Sequence, residues 1–207
     1  MAITLHHNPF SRAATVVWML EEVGVPYELK FVDFRANAQK SPELLAKNPM
    51  GKLPTLEDGD VVVTEVAAIG LYLADRYALG RLAPLPDDPA RGAYLRWSLF
   101  APSVIEPAAM AHYAKWEAKP GQVGWGSYET MVDALEFALR GGPFLLGERF
   151  TMADVIFGGT LRYMLRFKMV DARPAFAAYA ERLDARPASK AAEARNAQSI
   201  KDHGLGG

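Results

Sequence analysis

The sequence contains no cysteine. That excludes disulfides, Cys-ligated zinc, iron–sulfur clusters and any cysteine nucleophile, and it fits a reducing, cytoplasmic setting. Neither sign of charge dominates: 23 Lys and Arg stand against 24 Asp and Glu, which argues against a nucleic-acid partner. No apolar run reaches the roughly 18 uncharged residues of a membrane span. The longest, Val61 to Ala74, is interrupted by Glu65. The first Lys or Arg is Arg12, and no apolar segment ends in a small-residue cleavage site, so no secretory signal is expected. Low-complexity tracts and internal repeats are also missing.

What is present is ordinary globular composition, 50% hydrophobic and 23% charged over 207 residues, enough for one large or two small domains. The first eighty or so residues alternate short strands with helices. Ile3 to His6 is β-prone, and Ala13, Val16, Val17, Leu20 and Val23 repeat at helical spacing up to Gly24. Tyr27 to Phe34 alternates like a strand, Ser41-Pro42-Glu43 opens a short helix, and Asp58-Gly59 turns a hairpin. Thr64 onward is helical again. The predicted order is βαβαββα over residues 1–80. After Gly80, Pro84, Pro86, Asp87, Asp88 and Pro89 gather in a linker at 81–89. From 90 to 207 the pattern is wholly helical, although Pro102 and Pro107 are expected to bend or break the first helix there. The tail Gly204 to Gly207 is expected to fray.

Four short features bear on chemistry. Asn8-Pro9-Phe10-Ser11-Arg12 lies where the first strand passes into the first helix. A helix N-terminus stabilises an anion, and a hydroxyl there lowers a thiol pKa by hydrogen-bonding the thiolate; the bland reading is that Ser11 is only an N-cap. Asn48-Pro49-Met50-Gly51-Lys52-Leu53-Pro54-Thr55-Leu56 is a constrained turn before a strand. A cis Leu53–Pro54 bond would turn the Leu53 backbone outward to pair with an extended peptide ligand, but spacing alone does not establish the isomer. At Thr64-Glu65-Val66 a second helix starts; its N–H groups suit a carboxylate and Glu65 an ammonium group, against the plain alternative of a dipole-favoured Glu. Thr151-Met152-Ala153-Asp154 is a capping box and reads as structural.

Together these features resemble the glutathione S-transferase family along nearly the whole chain. Asn48 to Leu56 is similar to its N-P-x-G-x-[VL]-P-x-L turn, and Thr64 to Ile69 with Tyr72, Leu73 and Tyr77 to its [TS]-[EQ]-S-x-A-I corner. Phe144-Leu145-Leu146-Gly147 to Asp154 is similar to its F-L-x-G…[ST]-x-A-D box. The resemblance implies a thioredoxin-like α/β N-terminal domain followed by an all-α domain, with glutathione as co-substrate and no metal. It implies that Pro54 is a cis-proline and that Leu53 pairs with the cysteinyl part of glutathione. Glu65 would hold the γ-glutamyl ammonium, the Val66 N–H the γ-glutamyl carboxylate, and Lys52 with Gln39 the glycyl carboxylate. Phe10 would lie beside the bound tripeptide. Ser11 would donate to the sulfur, with Asn8 as the alternative, since in some classes the activating residue directly precedes the proline.

Val66 departs from the family's usual serine: the backbone donor stays and a hydroxyl is lost. The lack of cysteine means that the reacting thiol is glutathione's own, attacking an electrophilic carbon or a peroxide. The electrophile is expected against the first long helix after the linker, near Met110, Tyr113 and Trp116. A homodimer serving detoxification is implied, with Arg76, Arg91 and Tyr94 where such dimers meet. The alternative is a non-catalytic relative that binds ligands or partners.

Overall fold

The computed structural model describes residues 3–206. The first strand, β1 (Ile3–His7), carries the fully buried Leu5. Helix α1 (Ala13–Val23) stops at Gly24, which takes φ 78° and donates its N–H to the Leu20 carbonyl at 2.9 Å, a left-handed cap open to glycine at no steric cost. Strand β2 (Tyr27–Phe31) ends short of Phe34, because the Asp33 carboxylate accepts the Arg35 N–H and guanidinium and turns the chain. Helix α2 (Pro42–Lys47) is capped by Ser41, whose Oγ accepts the Leu44 N–H. Strands β3 (Thr55–Asp58) and β4 (Val61–Thr64) form the hairpin around Gly59, and α3 (Val66–Tyr77) follows. The sheet order is β2-β1-β3-β4, with β1 parallel to β2 and the other pairs antiparallel. This is the thioredoxin-like arrangement expected from the sequence. One row sets the level of the strand ends: His6 lies opposite Thr55, and Thr55 opposite Thr64.

The rest is helical. Winding continues through both prolines expected to interrupt it. Helix α4 (Arg91–Phe100) passes into a π-helical turn at Ala101–Ile105, which holds Pro102, and then into α5 (Glu106–Tyr113), with Pro107 in its first turn. Proline is tolerated in a first turn and a widened turn absorbs a missing N–H. Helices α6 (Tyr128–Ala138), α7 (Met152–Arg166) and α8 (Pro174–Asp184) follow. Buried Asp154 accepts the Thr151 N–H at 2.9 Å, the Leu145 N–H at 2.8 Å and the Tyr179 hydroxyl at 2.9 Å. The capping box therefore also ties α7 to the preceding loop and to α8. Burial raises the Asp154 pKa, and these donors pull it part of the way back.

By its contacts the chain forms two units, one of residues up to Tyr77 together with those from Pro187, the other Ala78–Arg186. This differs from the sequence division at 80 and 90 in two respects. The proline-rich segment is built into the helical unit: Leu82 and Ala83 are buried, the Leu82 carbonyl accepts the Met152 N–H at 2.8 Å, and Asp88 pairs with Arg149 at 2.7 Å. The last helix, α9 (Pro187–Asp202), packs along α1 instead of joining the helical unit. Its buried residues, Ser189 and Ala192, are small, so the packed face carries no apolar stripe that a sequence pattern could reveal. The tail does not fray at Gly204 and Leu205. Arg35 donates to the His203 and Gly204 carbonyls at 3.2 and 3.4 Å, and the Leu205 N–H reaches Ile200 at 3.0 Å. Gly207 lies outside the described residues. Among the described residues no helix is long and apolar enough to cross a membrane.

Two outcomes test this packing. A Cβ at Gly158 would lie 2.1 Å from Leu183 Cδ1, and Leu183 is fully buried. Gly158→Ala is therefore expected to cost about 1–3 kcal/mol, read as a lower urea midpoint at unchanged m-value; an unchanged midpoint contradicts the close α7–α8 approach. His7 is fully buried, and burial holds its pKa below the usual imidazole value; its bond to Asn196 works against that shift and nearby His203 adds to it. The unfolded chain then binds the proton more readily than the folded one. The His7 contribution is complete above about pH 6.5 and is lost as the pH falls through the lowered folded value. His7→Gln should flatten the dependence of melting temperature on pH in that window, and parallel curves would contradict it.

Candidate active site

The row His6–Thr55–Thr64 brings β1, β3 and β4 to one end of the sheet. From that end emerge three of the four features singled out in the sequence: the Asn8–Arg12 turn after β1, the Asn48–Pro54 turn before β3, and the Glu65–Val66 corner after β4. Strand β2 runs parallel to β1, so the segment carrying Gln39 leaves from the same end. The site is thus assembled by strand register from segments far apart in sequence.

In the first turn the structure separates the two candidate donors. Asn8 is buried, and its side-chain amide is engaged through both ends: Nδ2 donates to the Val32 carbonyl at 2.9 Å and Oδ1 accepts the Phe10 N–H at 3.0 Å. Ser11 is half-buried. Its hydroxyl donates to the Asn8 carbonyl at 2.8 Å and accepts the Ala13 N–H at 3.1 Å. The first amides of α1 are not free, since Ser11 and Ala14 also donate within the turn. The polar group that can be redirected is the Ser11 hydroxyl. Phe10 beside it is 62% exposed.

The second turn is built around buried Asn48. Its Nδ2 donates to the Lys52 carbonyl at 2.9 Å and to Thr55 Oγ1 at 3.3 Å, and its Oδ1 accepts the Met50 N–H at 3.2 Å. The Leu53–Pro54 bond is cis, and both residues are buried while the Lys52 side chain is exposed. Gly51 takes φ 55°, and a Cβ there would lie 2.7 Å from Lys40 Cδ and Nζ. Lys40 crosses the turn and donates to the Met50 carbonyl at 2.8 Å. Sequence reasoning missed both the anchoring role of Asn48 and the presence of Lys40; a second polar side chain next to Gln39 was the available signal. Gln39 donates to Asn37 Oδ1 at 2.8 Å, while its buried Oε1 has no partner.

At the third corner Glu65 is exposed and takes φ 66°. Its carbonyl accepts the Ile69 N–H at 2.9 Å, so the amides from Val66 to Ala68 at the start of α3 precede the first N–H that has a helical acceptor. The end of α3 therefore offers N–H groups and the positive pole of a helix dipole beside a carboxylate. Met110, Tyr113 and Trp116 belong to the helical unit. Met110 is half-buried on α5, Tyr113 ends that helix 58% exposed, and Trp116 just beyond it is 61% exposed. Tyr94, expected at a dimer contact, is fully buried. Among the described residues no group of three or more His, Asp and Glu side chains is placed to hold a metal ion.

This geometry can be set beside known proteins. The family model for the glutathione S-transferase N-terminal domain matches residues 1–75, and that for the C-terminal domain residues 105–187. The chain belongs to the glutathione S-transferase family. It is 30% identical to glutathione S-transferase F14 of Arabidopsis thaliana, over 84% of this chain and 76% of that one. A glutathione transferase structure from Methylococcus capsulatus is 29% identical, with a TM-score of 0.78 over 95% of this chain and 100% of the other. A transferase from Phanerochaete chrysosporium, solved with oxidized glutathione, is 28% identical, with a TM-score of 0.78 over 95% and 97%.

The positive φ of Glu65 costs about 1–3 kcal/mol for a residue with a side chain. Glu65→Gly is expected to hold or raise the melting temperature, whereas the β-branched Glu65→Val lowers it. Equal losses in both variants would contradict backbone strain at this corner.

Proposed function

We propose that the chain binds glutathione at this end of the sheet and activates its thiol for attack on a small hydrophobic electrophile. The observation that carries the reading is the convergence, at one end of one sheet, of a cis-proline turn, an exposed carboxylate beside a helix N-terminus, and a hydroxyl at a second helix start. In the bound state the Leu53 backbone pairs with the cysteinyl residue. Glu65 takes the γ-glutamyl ammonium, and the Val66 N–H takes the neighbouring carboxylate. Lys52, with Gln39, faces the glycyl carboxylate. Phe10 flanks the tripeptide.

Ser11 is the preferred thiol activator over Asn8. The Asn8 amide is committed on both sides, and freeing it would strand the buried Val32 carbonyl. When the Ser11 hydroxyl turns to the sulfur, the Asn8 carbonyl still accepts the Ser11 N–H at 2.9 Å. The hydroxyl and the positive pole of α1 then favour the thiolate over the thiol. In transfer, the thiolate forms a C–S bond as the electrophile's leaving group departs with its electron pair. A peroxide is the second reading, favoured by the oxidized glutathione in the Phanerochaete complex. In a chain without cysteine both sulfurs of the disulfide come from glutathione, so that two thiols and a hydroperoxide give the disulfide, an alcohol and water. The chain is read as a cytoplasmic homodimer, with exposed Val61 and Val62 on the edge strand β4 as apolar contact surface.

The test is calorimetric titration with reduced glutathione, followed by thiolate absorbance against pH in the complex. Loss of a charge-assisted hydrogen bond in Glu65→Ala should weaken binding by about 10–100-fold. Ser11→Ala should raise the thiol pKa at similar affinity, and Asn8→Ala should act mainly by destabilising the turn. No binding by the native protein would leave a ligand or interaction role. A thiol pKa unmoved by Ser11→Ala would remove Ser11.

A further inference from the structure

The last helix reaches back to the turn that carries Ser11. Asn196, half-buried on α9, accepts a hydrogen bond from His7 Nε2 at 2.7 Å through its Oδ1 and donates through Nδ2 to the Ala14 carbonyl at 3.4 Å. The Ala14 oxygen can only accept, so it sets which way the amide faces. The amide oxygen in turn sets the imidazole tautomer, with the proton on Nε2. His7 Nδ1 is buried without a partner, so Asn196 is the side-chain partner of this ring.

The two atoms that Asn196 ties together bracket the Ser11 turn. His7 ends β1, directly before Asn8, whose carbonyl receives the Ser11 hydroxyl. Ala14 lies in the first turn of α1 and donates its own N–H to the Ser11 carbonyl at 3.1 Å. One amide therefore fixes where α1 begins relative to the end of β1, and with it the direction of the hydroxyl between them.

We propose that Asn196 is a positioning residue for the thiol-activating hydroxyl, so that the C-terminal helix is part of the site's machinery. This rests on the reading of Ser11 given above. The hydrogen bonds of Asn196 go to His7 and Ala14 and not to Leu53, Glu65 or Val66, so its loss should alter activation and leave ligand affinity alone. Misplacement of a reacting group by a fraction of its hydrogen-bond length is enough to impair activation.

The experiment compares the native protein with Ser11→Ala, Asn196→Ala, Asn196→Ser and Arg195→Ala, each as the full chain with reduced glutathione. Asn196→Ser is neutral and too short to reach both partners; it stands as the test if the alanine variant does not fold. Arg195→Ala removes a different α9–α1 link, the ion pair with Glu21 at 2.6 Å, and reports general loosening of the helix. The expected result is a thiol pKa raised in the Asn196 variants by at least half of the shift seen in Ser11→Ala, with unchanged glutathione affinity. Arg195→Ala should keep the native thiol pKa although its melting temperature falls. A shift in Ser11→Ala with none in the Asn196 variants overturns the role of Asn196 and leaves Ser11 standing. An equal shift in Arg195→Ala overturns it as well, by making the effect one of loosened packing. No shift in Ser11→Ala removes the reading of Ser11, and the role of Asn196 with it.

Discussion

The pairing of His6 with Thr55, and of Thr55 with Thr64, ends three strands at one level of the sheet. The chemistry considered above lies one to five residues beyond that row. A slip of one residue in either ladder would turn Leu5 and Leu56 away from the core and carry the cis-proline turn out of line with Ser11 and Glu65. Leu5 and Leu56 face each other in register and are fully buried. Burial on this scale stabilises by about 1.5–3 kcal/mol per side chain, so the core that holds the register also holds the site.

Beyond the strands, asparagine takes over what a ladder does within them. Asn8 and Asn48 are both buried, and each side-chain amide adds bonds to backbone groups that the turn's own hydrogen bonds leave unpaired. A side-chain amide carries donor and acceptor together, which allows it to stand in for a peptide group. Asn196 does the same from another helix. The exposed Lys52 side chain is therefore carried on a turn whose backbone Asn48 ties together.

The helical unit is held by a different kind of centre. Asp154 collects two backbone N–H groups and two hydroxyls in a fully buried position, beside the Trp97, Phe157 and Tyr179 rings packed edge to face. A capping box legible in four residues has become the point where a loop and two helices meet. Gly158 lets α8 approach where any side chain would collide with Leu183.

The order of strands and helices, the caps at Gly24 and Ser41, the capping box and the proline turn were all legible in the sequence, because each depends on a spacing or a residue type acting over a few positions. The motifs that carry the family resemblance are short and local as well. What lies outside a local window was decided by tertiary structure. α9 joins α1 through small residues that leave no hydrophobic period. The commitment of the Asn8 amide depends on Val32, just beyond the neighbouring strand. The proline-rich segment near 80–89 became part of the helical unit because Leu82 and Asp88 found partners in Met152 and Arg149, far along the chain. The sequence by itself determined which elements form and which residues are eligible for chemistry. Only the tertiary structure decided which of them are free to act, since a polar group is free or spent according to partners that strand register and helix packing bring to it.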